Sequence, residues 1–245
     1  VGDVDKRPDR LSEDRDFTAG AHFARADREQ LKPVLTDRLE TEYGLSVEVS
    51  EPRKEAGNVD TWKLKVQTRP GARDLPAQRI NIDVCAIPSY MSQPKVLLNP
   101  YGVDMGTQGL ILNAQALEEI YADKVLAFAL RRGRIKNRDL WDLLWLKQQG
   151  VKPALELIPA KLKDHQCEPG VFLDKAEGRA ASLTQDKQTK KDFRAEMQRF
   201  LPTKLVAGTV ADDRFWDYLV HEIPQLVRDV KHSVTQTPRP PSFAM

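Results

Sequence analysis

The apolar residues of this 245-residue chain change their spacing near residue 113, and that change limits the folds the chain can adopt. Before it, one stretch with helical spacing, 26–43, is followed by runs in which apolar and polar residues alternate, as at Trp62, Leu64 and Val66, which is typical of a half-buried antiparallel strand. After it, apolar residues recur every three or four positions, which is typical of amphipathic helices. The pattern therefore predicts an α+β protein with a mixed amino-terminal half and a helical carboxy-terminal half.

The same periodicities predict the individual elements. The predicted strands are 45–49, 62–66 and 79–87, and the predicted helices are 26–43, 117–130, 135–149, 153–163, 190–200 and 214–230. Gly44 marks a helix end, Pro153 marks a helix start, and the polar stretch 177–191 predicts a mobile connection. We expect an α+β domain over 1–112, a helical domain over 113–234 and a disordered, proline-containing tail over 235–245.

Composition indicates an ordinary soluble globular protein, with 40% hydrophobic and 30% charged residues. The formal net charge of +2 argues against wholesale wrapping of nucleic acid but leaves room for a local basic patch. The two cysteines belong to no metal-spaced cluster, which favours a reducing compartment. No apolar run approaches the roughly 18 residues of a membrane span, and the charged amino-terminal segment does not resemble a signal peptide. We therefore expect a cytoplasmic protein that does not cross a membrane.

Two aspartates, Asp14 and Asp16, lie two positions apart in the segment 10–17. In an extended segment both carboxylates share one face, where they repel each other unless a cation lies between them. Oxygen ligands of this kind suit Mg²⁺. Asp83, on a predicted strand and opposite its isoleucines, could add a third carboxylate and complete a clamp for phosphoryl or nucleotidyl transfer. The alternative is a loop-capping Asp-x-Asp in a chain with 36 acidic residues.

Lys124 interrupts an apolar helical stripe that includes Tyr121 and Phe128. Its side chain could snorkel to water, pair with a carboxylate or bind triphosphate oxygens. Asp139 has no partner four positions away, so a buried pair with Lys124 is one prediction. Asp142, four residues after Arg138, predicts a routine surface ion pair.

Five cations occur among the eight residues 131–138. Clustered guanidinium groups recognise phosphates, so this segment could bind a nucleotide or RNA. A solvated connection between two helices is the alternative.

Four segments, taken in order, resemble the AbiEii/AbiGii toxin family of nucleotidyltransferase-like proteins. They are Arg10-Leu-Ser-Glu-Asp-Arg-Asp-Phe17, Ile80-Asn-Ile-Asp-Val84, Glu118-Glu-Ile-Tyr-Ala-Asp-Lys124 and Lys136-Asn-Arg-Asp-Leu-Trp-Asp142. The resemblance implies a polymerase-β-like nucleotidyltransferase core with a mixed sheet, followed by helices. It also implies the toxin of a bacterial toxin–antitoxin or phage-exclusion system, with a cognate antitoxin as partner.

The activity that the resemblance implies is transfer of a nucleotide from a nucleoside triphosphate to RNA, including tRNA, or to a protein. An acceptor hydroxyl would attack the α-phosphorus with the help of Mg²⁺. The implied roles are metal binding for Asp14, Asp16 and Asp83, nucleotide binding for Ser12, Lys124 and Arg138, and catalysis for Asp14, Lys124 and Asp139.

Two departures from the family pattern bear on this expectation. No Gly-Gly-Thr or Gly-Ser turn occurs among the residues before Ser12, so the backbone amides that would cradle phosphate are missing and the chain could be truncated. Arg15 stands where a hydrophobic residue is usual. The alternatives are therefore an inactive family member that only binds an antitoxin, and an RNA-binding module that uses the segment 131–138.

Overall fold

A computed structural model describes residues 15–20, 23, 25–52, 58–67, 77–97, 106 and 108–236. The chain divides into two compact units. The described residues of Ser12–Ser89 form one of them, and those of Tyr90–Met245 form the other.

The first unit contains a four-stranded sheet and one helix. The strands are β1 (Arg15–Thr18), β2 (Ser46–Ser50), β3 (Val59–Gln67) and β4 (Gln78–Cys85), and the helix is α1 (Arg25–Tyr43). The strand order is β1-β4-β3-β2, with β1 parallel to β4 and the other pairs antiparallel. The sheet is therefore mixed, as predicted. Gly44 follows α1 with a positive φ of 62°, which a residue without a side chain adopts without strain.

The core of this unit lies on one face of the sheet. Trp62, Leu64 and Val66 on β3 are buried, while the residues between them are more exposed. They pack in one cluster with apolar residues spaced four apart on α1, among them Leu31 and Leu35. Burial of each large apolar side chain contributes about 1.5–3 kcal/mol, so the alternation seen in the sequence decides which face α1 covers.

The second unit begins with an antiparallel hairpin of β5 (Ser92–Val96) and β6 (Ile111–Gln115). The two strands are not among the predicted ones, and β6 continues to Gln115, past the predicted change of pattern near residue 113. The next helix starts at Leu117, as predicted. The segment Ser-Gln-Pro-Lys-Val of β5 is polar and carries a proline, so it lacks the strand pattern that the sheet of the first unit shows.

Helices make up the rest of this unit. They are α2 (Leu117–Leu130), α3 (Asn137–Gln148), a 3₁₀ turn (Leu155–Leu157), α4 (Ile158–Asp164), α5 (Pro169–Gln185), α6 (Lys187–Phe200), α7 (Thr203–Gly208) and α8 (Asp213–Gln236). Residues from most of these helices form one apolar core. None of the helices in the described part of the chain has the length and hydropathy that crossing a bilayer requires.

The connection predicted over 177–191 is wrong, because this stretch belongs to α5 and α6. Phe172, Ala176, Ala180 and Leu183 lie on one buried face of α5, and two of the four are alanines that give a weak hydrophobic signal. Only Asp186 separates the helices, where its carboxylate accepts a hydrogen bond from the amide of Gln188 and caps α6.

Two smaller predictions at element ends also differ from the structure. Pro153 lies two residues before the 3₁₀ turn, and the proline in the first turn of α4 is Pro159, where a missing amide costs nothing. Helix α8 continues to Gln236, so it includes the first two residues of the predicted tail. The rest of that tail, 237–245, lies outside the described residues.

Candidate functional site

Asp16 and Asp83 occupy paired positions on the parallel strands β1 and β4. Paired residues of neighbouring strands point to the same face of a sheet, so both carboxylates lie on one side. Val84, the next residue along β4, is buried on the opposite side in the core, as the sequence pattern predicted. Thr61 on β3 is the cross-strand partner of Asp83, and its Oγ1 donates a hydrogen bond to Asp83 Oδ1 at 2.6 Å. This hydroxyl fixes the orientation of the Asp83 carboxylate.

The chemistry of this pair fits a magnesium ion. Mg²⁺ commonly takes one or two carboxylates from a protein and completes its shell with water and substrate phosphates, and Asp16 and Asp83 supply two. Among the described residues there is no group of three or more His, Cys, Asp and Glu side chains placed to hold a metal. Asp14, the other aspartate of the predicted pair, lies outside the described residues, and so do Ser12 and the side chain of Arg15.

Lys124 lies between two carboxylates of the neighbouring helix in the second unit. Its Nζ on α2 is 3.3 Å from Asp139 Oδ1 and 2.7 Å from Asp142 Oδ2, both on α3. The Lys124 side chain is 26% exposed and that of Asp139 only 4%. The predicted contact between Lys124 and Asp139 is therefore confirmed, and the ammonium is not simply extended into water. The roles of both residues in catalysis stay predictions.

A second cation, Arg131, contacts the same buried carboxylate. Arg131 follows the last residue of α2, and its Nε lies 2.7 Å from Asp139 Oδ2. A buried carboxylate is costly unless it is paired, and here two cations compensate Asp139. Asp139 also lies in the first turn of α3, where the helix dipole favours a negative charge. The sequence pattern indicates Arg131 only as one member of a basic cluster, not as a partner of Asp139.

The surface ion pair predicted between Arg138 and Asp142 is wrong, because tertiary partners replace the local one. Asp142 is buried and bound to Lys124. The Arg138 guanidinium lies 5.0 Å from the centroid of the Phe200 ring, and its Nε is 4.0 Å from Glu196 Oε1. Binding of a nucleotide by Arg138 stays a prediction.

Arg179 on α5 holds the backbone of the connection between α2 and α3, a role that the sequence analysis missed. Its guanidinium donates hydrogen bonds to the carbonyl oxygens of Phe128 at 2.7 Å and Gly133 at 3.1 Å, and also to that of Arg131. These bonds satisfy acceptors at the end of α2, where a helix lacks internal partners. Burial lowers the pKa of Arg179, and the negative charge of Asp139 opposes this shift. No local pattern points to this residue, since its acceptors lie more than forty positions away.

A buried ionic network on α2 was also missed. Glu119 and Lys161 are 0% and 1% exposed, and Lys161 Nζ is 2.6 Å from Glu119 Oε1 and 2.7 Å from Asp123 Oδ1. The Glu119 carboxylate accepts hydrogen bonds from the amides of Tyr90 at 2.9 Å and Met91 at 2.7 Å. The network ties the segment before β5 to the helix that carries Lys124. Glu119 and Asp123 share one helix face, which is the only local signal for it.

The Tyr90 side chain completes the rim of this network. Its hydroxyl donates a hydrogen bond to Asp164 Oδ2 at 2.6 Å, and this bond is the main cause that raises the pKa of Tyr90 to about 12. The Lys161 ammonium lies 5.5 Å from the centroid of the same ring.

An open cleft of about 270 Å³ lies beside the α2–α3 connection, between α5 and α6. It is lined by Gly133, Arg134, Ile135, Asn137, Arg179, Ser182, Asp186, Thr189 and Asp192. The lining holds neither Lys124 nor Asp139, and its two arginines balance the charge of its two aspartates.

Comparison with known families agrees with this architecture. No curated protein gives a match to the sequence. Residues 6–221 match the family model described as nucleotidyl transferase AbiEii toxin, type IV toxin–antitoxin system. The match includes the strands with Asp16 and Asp83 as well as the helices with Lys124 and Asp139. The chain therefore belongs to the AbiEii nucleotidyl transferase toxin family of type IV toxin–antitoxin systems.

Proposed function

We propose that the protein transfers a nucleotide from a nucleoside triphosphate to a hydroxyl group of an RNA acceptor, with tRNA as the first candidate. The observation that carries the proposal is the Lys124 ammonium held by Asp139 and Asp142, in a chain of a nucleotidyl transferase family. A lysine fixed by two carboxylates keeps a compact positive charge in one place, and such a charge is suited to phosphate oxygens.

The carboxylates of the first unit are the candidate metal ligands. Asp14, Asp16 and Asp83 would hold Mg²⁺, which would offset the negative charge that grows on the departing pyrophosphate. The hydrogen bond from Thr61 to Asp83 supports this assignment, because partners of this kind orient metal-binding carboxylates.

The remaining candidate residues would bind the triphosphate and orient the nucleotide. Lys124 would bind the triphosphate, and Ser12 and Arg138 would contact the nucleotide. The acceptor oxygen forms a bond to the α-phosphorus while the bond from that phosphorus to the pyrophosphate oxygen breaks. We assign the proton of the acceptor hydroxyl to Asp83, because Asp139 already contacts both Lys124 and Arg131, whereas Asp83 would share one Mg²⁺ with Asp14 and Asp16. Asp139 then keeps Lys124 and Arg131 in position.

The test is transfer of label from each ribonucleoside triphosphate to total tRNA, with Mg²⁺ and purified protein. We expect Lys124→Met and Asp83→Asn to reduce transfer by about 10²-fold or more, which is the usual effect of losing a group that stabilises transition-state charge. Lys147→Met is the matched control, because Lys147 also lies on a helix and pairs with a carboxylate, that of Glu222. Equal transfer by wild type and Lys124→Met would refute the proposed role of Lys124.

Binding to an antitoxin without catalysis is the second candidate function. It is favoured by Arg15, a cation between Asp14 and Asp16, two of the three aspartates that would hold the metal. Folded protein that transfers no label to tRNA or protein, but forms a stable complex with the cognate antitoxin, would support this candidate instead.

A further inference from the structure

The connection between α2 and α3, residues 131–136, concentrates positive charge on the surface of the second unit. It holds four cations and no acidic residue, whereas the whole chain is nearly balanced, with 38 Lys and Arg against 36 Asp and Glu. Arg132, Arg134 and Lys136 are all exposed. The positive charge of this connection is therefore local and does not reflect the overall charge of the protein, which is nearly neutral.

These three side chains are not committed to internal ion pairs. Arg131 contacts Asp139, but within the described ranges none of Arg132, Arg134 and Lys136 forms an ion pair. Some exposed cations elsewhere in this unit have carboxylate partners, for example Lys231 with Glu177, whereas others such as Lys175 and Lys204 form no ion pair within the described ranges. No described carboxylate competes with an external anion for the three side chains of the connection.

The connection is also held in a defined shape. Arg179 binds the carbonyls of Phe128, Arg131 and Gly133, and Gly133 adopts a positive φ of 76°. A solvated linker does not need a partly buried arginine from another helix to satisfy its backbone. A surface fixed before binding loses less conformational entropy when a ligand arrives.

We propose that residues 131–136 bind the phosphodiester backbone of the acceptor RNA and that Arg179 is the residue that positions them. The choice of RNA rests on the proposed function. Three cations distributed along a short segment suit several phosphates in succession, and arginine contacts phosphate oxygens bidentately. Arg131 joins this surface to the Lys124–Asp139 cluster, so RNA bound here lies next to the candidate triphosphate-binding lysine.

The test is binding of fluorescently labelled tRNA at several salt concentrations, measured by anisotropy without triphosphate. The triple variant Arg132→Gln/Arg134→Gln/Lys136→Gln should bind at least about tenfold more weakly, and the slope of log affinity against log salt should fall by about 2. The control is Lys175→Gln/Lys204→Gln/Arg228→Gln, which removes three exposed charges from helices of the same unit. The control should keep both the affinity and the slope.

Three results would overturn the proposal. One is wild-type affinity in the triple variant, and another is an equal loss in the control, which would indicate a general charge effect. The third is unchanged RNA binding together with a raised KM for the triphosphate, which would make the connection a triphosphate site. If wild-type protein binds tRNA through this segment but transfers no nucleotide, the proposed function fails while the RNA surface stands.

Arg179 gives a separate test of the positioning role. Arg179→Met removes the backbone hydrogen bonds but none of the three exposed cations, so RNA affinity should fall while the salt slope stays unchanged. Arg179→Lys can still donate hydrogen bonds to one or two of the carbonyls, so it should recover part of the RNA affinity. This variant also tests the positioning role if Arg179→Met does not fold. A reduced salt slope in Arg179→Lys, or no change of affinity in a folded Arg179→Met, would exclude the positioning role.

Discussion

Replacing Lys161 with methionine removes its ammonium and keeps a side chain of similar length, which tests the buried network around Glu119. In the wild type, Lys161 Nζ lies 2.6 Å from Glu119 Oε1, and both residues are almost fully buried. The variant leaves the Glu119 carboxylate in the interior without its closest cation. Removing one partner of a buried ion pair costs about 3–5 kcal/mol, and we expect a loss of unfolding free energy in that range.

The second substitution separates charge from hydrogen bonding. Glu119→Gln keeps an oxygen for the amides of Tyr90 and Met91 but carries no charge. In the double variant Lys161→Met/Glu119→Gln, no uncompensated carboxylate remains at position 119. We therefore expect the double variant to be more stable than Lys161→Met alone, with a coupling energy of about 2 kcal/mol. Glu119→Met also removes the acceptor from the two amides. Compared with Glu119→Gln, it should lower the unfolding free energy further, by about 1–3 kcal/mol for each amide left unsatisfied.

Urea unfolding monitored by tryptophan fluorescence is a suitable assay, because Trp141 and Trp216 lie in the core of the same unit. Lys231→Met is the matched control, since Lys231 and Glu177 are 2.7 Å apart but about half exposed, and exposed ion pairs contribute little to the free energy of unfolding. If Lys161→Met costs no more than Lys231→Met, the reasoning from burial and charge pairing is wrong.

Three further predictions concern other parts of the chain. Burial lowers the pKa of His165 from its ordinary value of 6.5 against the opposing effect of Asp123, so its neutral form stabilises the fold above about pH 6.5 and this contribution is lost as the pH falls below that value. His165→Asn should therefore flatten the decline of stability below pH 6.5 in urea titrations, and an unchanged decline would contradict this. Leu219→Ala, at a fully buried position of α8, should lower the unfolding free energy by about 2–5 kcal/mol with an unchanged urea m-value, and a smaller loss would show that the site collapses. Thr61→Val, which removes the 2.6 Å hydrogen bond to Asp83, should raise the Mg²⁺ concentration for half-maximal transfer by about tenfold or more, whereas an unchanged Mg²⁺ dependence would remove Thr61 from the metal site.

The sequence alone was sufficient for elements whose apolar residues follow one clear period. Alternation at Trp62, Leu64 and Val66 predicted β3, and the stripe around Lys124 predicted the exact range of α2. The placement of Asp83 opposite the core and the contact of Lys124 with Asp139 were also predicted correctly. In each case the residue's own helix or strand decides the direction of its side chain, so a local pattern contains the necessary information.

Tertiary structure decided the features that depend on residues far apart in the chain. Polar residues around 177–191 suggested a connection, yet burial of Ala176 and Ala180 makes the stretch helical. Arg179 and Lys161 look like ordinary surface cations in the sequence, but each satisfies buried acceptors from another element. The free energy of such a contact comes from removing both partners from water together, and a sequence pattern records only one of the two partners at a time.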